Sequence, residues 1–160
     1  LQKLITDVLK INSEINSAEF EYIALDRSNI DFVVHLKNGG HVFFEIKYTE
    51  YGFGKAEKDD EHKKKFVTIY EKYLNELYCL KCKPYFDEFA DHYQLYRNTI
   101  RITDKNKYVV LLYPEANKKA NSEASEFCGK MKEEYKDNIR CWYWENIVEK
   151  DSELYRKYFA

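Results

Sequence analysis

The sequence predicts an α/β fold built on a mixed β-sheet with helices on both faces. Three observations predict it. Asn29 to Glu50 reads as a β-hairpin, Lys107 to Tyr113 and Ile139 to Trp144 are apolar runs of strand length, and helical periodicity fills the stretches between and around them. Strands that begin as a meander and then alternate with helices imply a sheet of mixed direction.

Taken in order, residues 1 to 10 carry Leu1, Leu4, Ile5, Val8 and Leu9 at helical spacing, so an amphipathic helix is expected. Glu19 to Leu25 alternates Phe20 and Tyr22 against Glu19, Glu21 and Ile23, which predicts a strand. Asp26-Arg27-Ser28-Asn29 is a polar turn into the hairpin. After the hairpin, Tyr51-Gly52-Phe53-Gly54 is a loop that opens into a long helix over Lys55 to Leu80. Its stripe is Phe66, Ile69, Tyr70, Tyr73, Leu74 and Leu77, and the same face turns polar towards His62, Asp59, Lys58 and Lys55. Pro84 suits the start of a second helix to Ile100, with Tyr85, Phe89, Tyr93, Tyr96 and Ile100 on its apolar face. Gln94, Arg97 and Asn98 cluster beside that face at i, i+3 and i+4. Asn117 to Tyr135 and Glu145 to Phe159 complete the helices, the latter with Ile147, Val148, Leu154 and Tyr158 as packing positions.

The hairpin is the informative element. Ile30 to Leu36 and His41 to Tyr48 are β-branched and aromatic runs joined by Lys37-Asn38-Gly39-Gly40, and Asn-Gly tolerates the positive φ of a tight turn. Within these strands lie Asp31, Glu45 and Lys47, charges that are costly to bury among apolar neighbours. Glu45 and Lys47 are two apart and share a face. A two-residue Asn38-Gly39 turn would set Phe32 opposite Glu45 and put Asp31 on the other face. A three-residue loop sets Asp31 opposite Glu45 (loop Lys37 to Gly39) or opposite Lys47 (loop Asn38 to Gly40), gathering the charges. The second glycine favours a three-residue loop or an equivalent bulge.

With 160 residues, 44% apolar and 17% aromatic, the chain suits a single folded domain, 1–160, with a real core. No apolar run approaches the ~18 residues that span a bilayer. Nothing reads as a secretory signal, which predicts a cytoplasmic location, and Leu1 in place of Met leaves room for a preceding segment. A net charge of −2 argues against a non-specific nucleic-acid coat protein but not against a local basic surface such as Lys55, Lys58 and Lys63-Lys64-Lys65. Cys79-x-x-Cys82 has metal-ligand spacing, but Cys128 and Cys141 are distant, so free thiols are expected rather than a four-cysteine site.

Two carboxylates on neighbouring strands can hold a hard dication, with the Ile46 carbonyl as a further oxygen donor. A metal so held polarises a phosphodiester and helps ionise water, and Lys47 is placed to orient that water or to stabilise developing charge. This is a pattern for metal-assisted hydrolysis of a phosphate ester. Asp26 is a rival first carboxylate, five residues earlier, and a same-face ion pair is the plain structural alternative for Glu45 and Lys47.

Asp31 followed by Glu45-Ile46-Lys47 in a hairpin resembles the PD-(D/E)xK nuclease superfamily. Arg27 to Asp31 and the run EIKYTEYGFGKA, Glu45 to Ala56, resemble its restriction-endonuclease-like branch more closely. The likeness covers roughly Glu19 to Asn98. It implies a restriction-endonuclease-like fold and Mg²⁺-dependent cleavage of nucleic acid, with DNA the expected substrate and Mn²⁺ an alternative ion. Asp31 and Glu45 would be metal ligands and Lys47 the catalytic lysine. Gln94 is similar in placement to a glutamine some members use, whereas no residue matches the glutamate others supply from an N-terminal helix, and Ile30 stands where a proline is frequent.

His62, Lys63 and Arg97 are candidate phosphate contacts, joined by Lys55 at the expected helix N-terminus. Glu50 is a candidate auxiliary ligand. His35 and His41 flank the turn, expected to meet across it and not to bind metal. A homodimer would give one site per strand of a duplex. The rival functions are a non-catalytic member that binds nucleic acid or protein and a structural-metal protein built on the cysteines.

Overall fold

The structure is a computed structural model that describes residues 1–24, 26–148 and 156. Five strands form one sheet in the order β1-β2-β3-β4-β5: β1 Ile15–Ile23, β2 Asn29–Leu36, β3 His41–Ile46, β4 Lys107–Tyr113 and β5 Ile139–Tyr143. The first three are antiparallel, whereas β3, β4 and β5 run parallel. Tight turns suffice between antiparallel strands, but parallel neighbours need long crossovers. The β3–β4 crossover carries α1 Asp60–Lys65, α2 Glu71–Glu76, α3 Phe86–Asp91 and α4 Tyr93–Thr99, and the β4–β5 crossover carries α5 Lys118–Cys128. This is the mixed α/β sheet expected.

Each face of the sheet has its own core. Val33, Phe43, Val109 and Leu111 pack against Phe66, Tyr70, Leu74, Phe89, Tyr96, Ala124 and Phe127 of the crossovers. Val34, Val42, Phe44, Val110 and Leu112 pack against Ile5, Leu9 and Ile11 of the N-terminal segment, which makes a π-helical turn at Leu4–Val8. Alternation along β3 sends Phe43 and Glu45 to the crossover side.

Several boundaries differ from those predicted. The first strand begins earlier, at Ile15, and it is an edge strand that leaves Phe20 77% exposed, stacked only partly on Phe32. The long helix begins at Asp60 rather than Lys55, because the Asp59 carboxylate accepts the His62 amide and caps it there. A π turn at Phe66–Tyr70 joins α1 to α2 while keeping Phe66, Tyr70 and Leu74 buried, and the chain turns extended at Leu77. The helix expected from Pro84 to Ile100 is two helices, broken where His92 adopts φ −124°, ψ 36°. Tyr85 precedes the first of them in extended geometry and is exposed, so it does not pack as predicted; Phe86 and Phe89 do.

Helix α5 stops at Cys128, well short of Tyr135, because the chain turns at Gly129 and Met131 pairs in a bridge with Leu80. A 3₁₀ segment, Glu133–Asn138, then leads into β5. Beyond β5 the described chain forms a 3₁₀ turn at Trp144–Asn146; Leu154, Tyr158 and most of the predicted last helix lie outside the described residues.

Candidate functional site

The hairpin turn decides the site. Phe32 pairs with Phe44 and His35 with His41, and the Leu36 amide donates to the Gly40 carbonyl at 2.9 Å. The loop is therefore Lys37-Asn38-Gly39, three residues, with Gly39 at φ +80° where a side chain would be strained. Continued one step, this register sets Asp31 opposite Glu45. His35 and His41 meet edge-on across the turn at 4.9 Å between ring centroids.

Ladder pairing between β2 and β3 stops at Phe32 and Phe44. The Asp31 carboxylate takes over there, accepting the Ile46 amide at 2.7 Å, so a side chain replaces a strand in satisfying that backbone donor. On its other edge β3 stays tied to β4, with the Lys47 amide donating to the Leu112 carbonyl at 2.8 Å. The Lys47 carbonyl accepts the Trp144 indole N–H at 2.8 Å, and the Trp144 ring stacks on Tyr48. Lys47 is thus anchored through its backbone on both sides.

Glu45 is 1% exposed, and each of its oxygens has a partner. Its Oε1 lies 2.8 Å from Lys47 Nζ; its Oε2 accepts Asn98 Nδ2 at 2.6 Å and lies 3.4 Å from the Arg97 guanidinium. Lys47 is also buried, at 5% exposure. Such a pair persists inside a protein only when further hydrogen bonds complete it, which is what α4 supplies. Asp31 is half-buried. Burial pushes its carboxyl above the usual range and the nearby Glu45 charge adds to the rise; the Ile46 amide, Lys47 and Arg97 oppose this without cancelling it.

The other expected site residues divide. Arg97 joins the cluster, its guanidinium also lying over the Tyr93 ring at 5.6 Å. Gln94 does not reach the acids: its Oε1 accepts the Gly54 amide at 2.6 Å and its backbone N–H donates to the Gly54 carbonyl. It clamps the loop after β3 to α4, and a Cβ on Gly54 would come within 2.8 Å of the Gln94 side chain. Glu50 folds onto its own turn, accepting the Tyr48 and Thr49 amides; burial pushes its carboxyl up, but its own backbone amide, those of Tyr48 and Thr49, and the Lys47 charge outweigh it and hold it low.

Lys55 and His62 line a separate hollow of about 170 Å³ with Lys65, Tyr70 and Tyr93, and none of Asp31, Glu45 and Lys47 lines it. Lys55 precedes the helix start, so the helix dipole expected beside it lies at Asp60 instead. Lys63 is exposed on α1. Asp26, the rival ligand, is held elsewhere by Arg101 at 2.5 Å and by Ser28; burial pushes its carboxyl up, but these partners outweigh it and hold it low.

Asn98 is the residue whose role the sequence did not reveal. The i, i+4 spacing placed it beside Gln94, but which of the two amides would reach the acids depends on how α4 lies across β3. Asn98→Ala is expected to loosen Glu45 at a cost of about 1.5–3 kcal/mol, the value of a hydrogen bond to a charged group. Chemical denaturation checks it.

Among the described residues no three His, Cys, Asp or Glu side chains converge as metal ligands. Asp31 and Glu45, opposite each other in the register, therefore stand as a two-carboxylate pair. Mg²⁺ is commonly held by one or two carboxylates and completes its shell with water and phosphate oxygens, so the donor set fits a hard dication. Burial and then the Glu45 charge raise the Asp31 carboxyl, and a bound dication would oppose both. The cysteines form no four-fold site: Cys79 is buried, Cys82 is exposed, and only Cys128 and Cys141 are neighbours, 3.7 Å between sulfurs. No helix among the described residues is long and apolar enough to cross a membrane.

Neither a curated protein nor a solved structure matches the chain. A family description does, over residues 1–159 of 160. The mixed sheet, the acidic pair at the end of its central hairpin and this match agree: the chain belongs to the REase-ARP family, described as restriction endonuclease associating with ARP.

Proposed function

We propose that this protein is a Mg²⁺-dependent nuclease that hydrolyses phosphodiester bonds of DNA, with Asp31, Glu45 and Lys47 as its catalytic residues. The observation that carries the reading is the convergence of two carboxylates and a buried lysine where β2 and β3 part. Asp31, Glu45 and the Ile46 carbonyl would hold Mg²⁺ or Mn²⁺, which when bound supplies polarisation of the phosphodiester and a more acidic water.

The chain's own residues do the rest. Lys47, set by its backbone bonds to Leu112 and Trp144, donates to the attacking water or to the charge growing on the phosphoryl oxygens. Asn98 and Arg97 fix the Glu45 carboxylate from behind, which holds its remaining lone pair direction constant. Arg97 adds positive charge where an anionic backbone would approach. A homodimer would place one such site against each strand. The family's description motivates an ARP protein as the binding partner.

The test is supercoiled plasmid incubated with the protein in Mg²⁺, in Mn²⁺ and in EDTA, with Glu45→Ala alongside and ion binding read by calorimetry. Nicking that needs the ion and disappears in the variant, together with its ion binding, supports the reading. No ion binding by the wild type removes it.

A second reading is a non-catalytic binding module. What favours it is that Glu45 and Lys47 are already satisfied by each other and by α4, so the cluster stands as structure without any ion. Tight, salt-sensitive DNA binding without cleavage would support this module.

A further inference from the structure

Cys128 is the last residue of α5, and Cys141 lies in the middle of β5. The two are 13 residues apart in sequence, yet their sulfurs are 3.7 Å apart, within hydrogen-bond reach. Cys141 is exposed and Cys128 partly buried, so solvent has more access to the first residue than to the second. Cys79 is buried and Cys82 exposed, and neither is paired with another cysteine among the described residues. The nuclease reading uses none of these thiols.

We propose that Cys128 and Cys141 form a peroxide-oxidised dithiol site, in which Cys141 is the attacking sulfur and Cys128 the resolving one.

The steps balance as follows. The Cys141 thiolate attacks one oxygen of a hydroperoxide, the O–O bond breaks, and Cys141 becomes a sulfenic acid as the other oxygen leaves as water or alcohol. The Cys128 sulfur, having given up its proton, attacks the Cys141 sulfur and expels the sulfenic oxygen as water. Two thiols and one peroxide become one disulfide, one water from the sulfenic oxygen and one further water or alcohol, and the two electrons pass to the peroxide.

The surroundings favour this assignment. The Cys128 thiol donates towards Cys141 and brings it down to about 7; burial opposes this, and the Tyr113 hydroxyl adds to the lowering. The partner shift runs the other way, keeping Cys128 protonated until it is needed. The lowered value gives Cys141 more thiolate at neutral pH than an ordinary thiol holds. Its lower basicity reduces intrinsic nucleophilicity, but by less than the gain in thiolate.

Closing the bridge needs the sulfurs to approach to about 2.05 Å, which side-chain rotation can supply between elements that already touch. Tyr143 of β5 donates to Asn121 of α5 at 2.8 Å, so the bridge fastens an existing contact. Helix α5 also carries Glu123, whose Oε2 accepts the Phe53 amide in the loop that follows Lys47. A locked α5 therefore steadies that loop.

The experiment is titration of the reduced full chain with hydrogen peroxide, followed by non-reducing peptide mapping and intact mass. The expected product is a monomer lighter by two hydrogens, with a Cys128–Cys141 linked peptide and a raised melting temperature, formed before Cys82 is modified. In Cys128→Ser, dimedone is expected to trap a sulfenic acid on Cys141; in Cys141→Ser, Cys128 is expected to stay unlabelled at the same dose. Circular dichroism verifies that both variants fold, and the wild-type mass shift does not depend on them. Oxidation of Cys82 first, intermolecular dimers alone, or no linked peptide would overturn the proposal. All of these readouts stand whether or not the protein cleaves DNA.

Discussion

Replacing Lys47 with Met is expected to reduce Mg²⁺-dependent plasmid nicking by about 10²- to 10⁴-fold, the range contributed by a positioned proton donor or acceptor. The same change carries a stability cost. Lys47 and Glu45 are 7% and 1% exposed at their side chains, so removing one partner leaves a buried charge that has lost its nearest cation. Breaking such pairs costs about 3–5 kcal/mol. Asn98 and Arg97 still hold Glu45 Oε2, which argues for the lower end of that range. Because whole domains are stable by about 5–15 kcal/mol, the variant is expected to fold at 25 °C with a lowered urea midpoint.

The double variant Glu45→Gln with Lys47→Met separates the two effects. It removes both charges and keeps the amide in reach of Asn98, so much of the lost stability is expected to return while cleavage stays absent. A nicking rate in Lys47→Met equal to that of the wild type would exclude Lys47 from the chemistry.

Asp31→Asn is expected to stabilise the metal-free protein and to abolish its response to Mg²⁺. The Asp31 carboxyl ionises at higher pH in the folded chain than in the unfolded one, where 3.8 is the ordinary value, because burial and then the Glu45 charge disfavour the anion. Between 3.8 and that raised value the folded state binds more protons. Stability contributed by this group therefore falls as pH rises through the window, and the penalty is fully present once pH passes the raised value. Asparagine removes the charge, yet its side-chain oxygen can still accept the Ile46 amide.

Bound Mg²⁺ acts in the opposite sense, because it selects the ionised carboxylate. For the wild type at an ion concentration one hundred times the dissociation constant, the expected gain is about 2.7 kcal/mol. Thermal melts with and without Mg²⁺ at pH 5 and pH 8 check both statements. The Mg²⁺ shift should be larger at pH 8 in the wild type and missing at either pH in Asp31→Asn. A variant less stable than the wild type without metal would show that Asp31 is held for structure and not for an ion.

The hairpin shows what could be read in advance. Asp31, Glu45 and Lys47 stood out because charges interrupt two apolar runs, and the glycine pair limited the loop to a few lengths. The structure chose Lys37-Asn38-Gly39, with Gly39 at positive φ, and that choice alone fixes Asp31 opposite Glu45. Strand β4 was legible residue for residue, because a buried parallel strand is a continuous apolar run. Helix ends were less so. Capped by Asp59, α1 starts at Asp60, five residues later than the Lys55 start expected, and the break at His92 has no signal in a pattern whose apolar spacing continues across it.

The sequence by itself determined the sheet, its hairpin and the acid-acid-lysine set, since these follow from side-chain period and turn chemistry, which are local properties. Tertiary structure decided which neighbours complete that set. Gln94 and Asn98 are one helical turn apart and carry the same amide, yet the crossing of α4 over β3 gives one to the Gly54 loop and the other to Glu45. It decided too that Asp26 pairs with Arg101 rather than joining Glu45, and that Cys128 meets Cys141 and not Cys82. Each of these pairings spans residues distant along the chain, so its energy depends on how whole elements pack, and no local pattern encodes it.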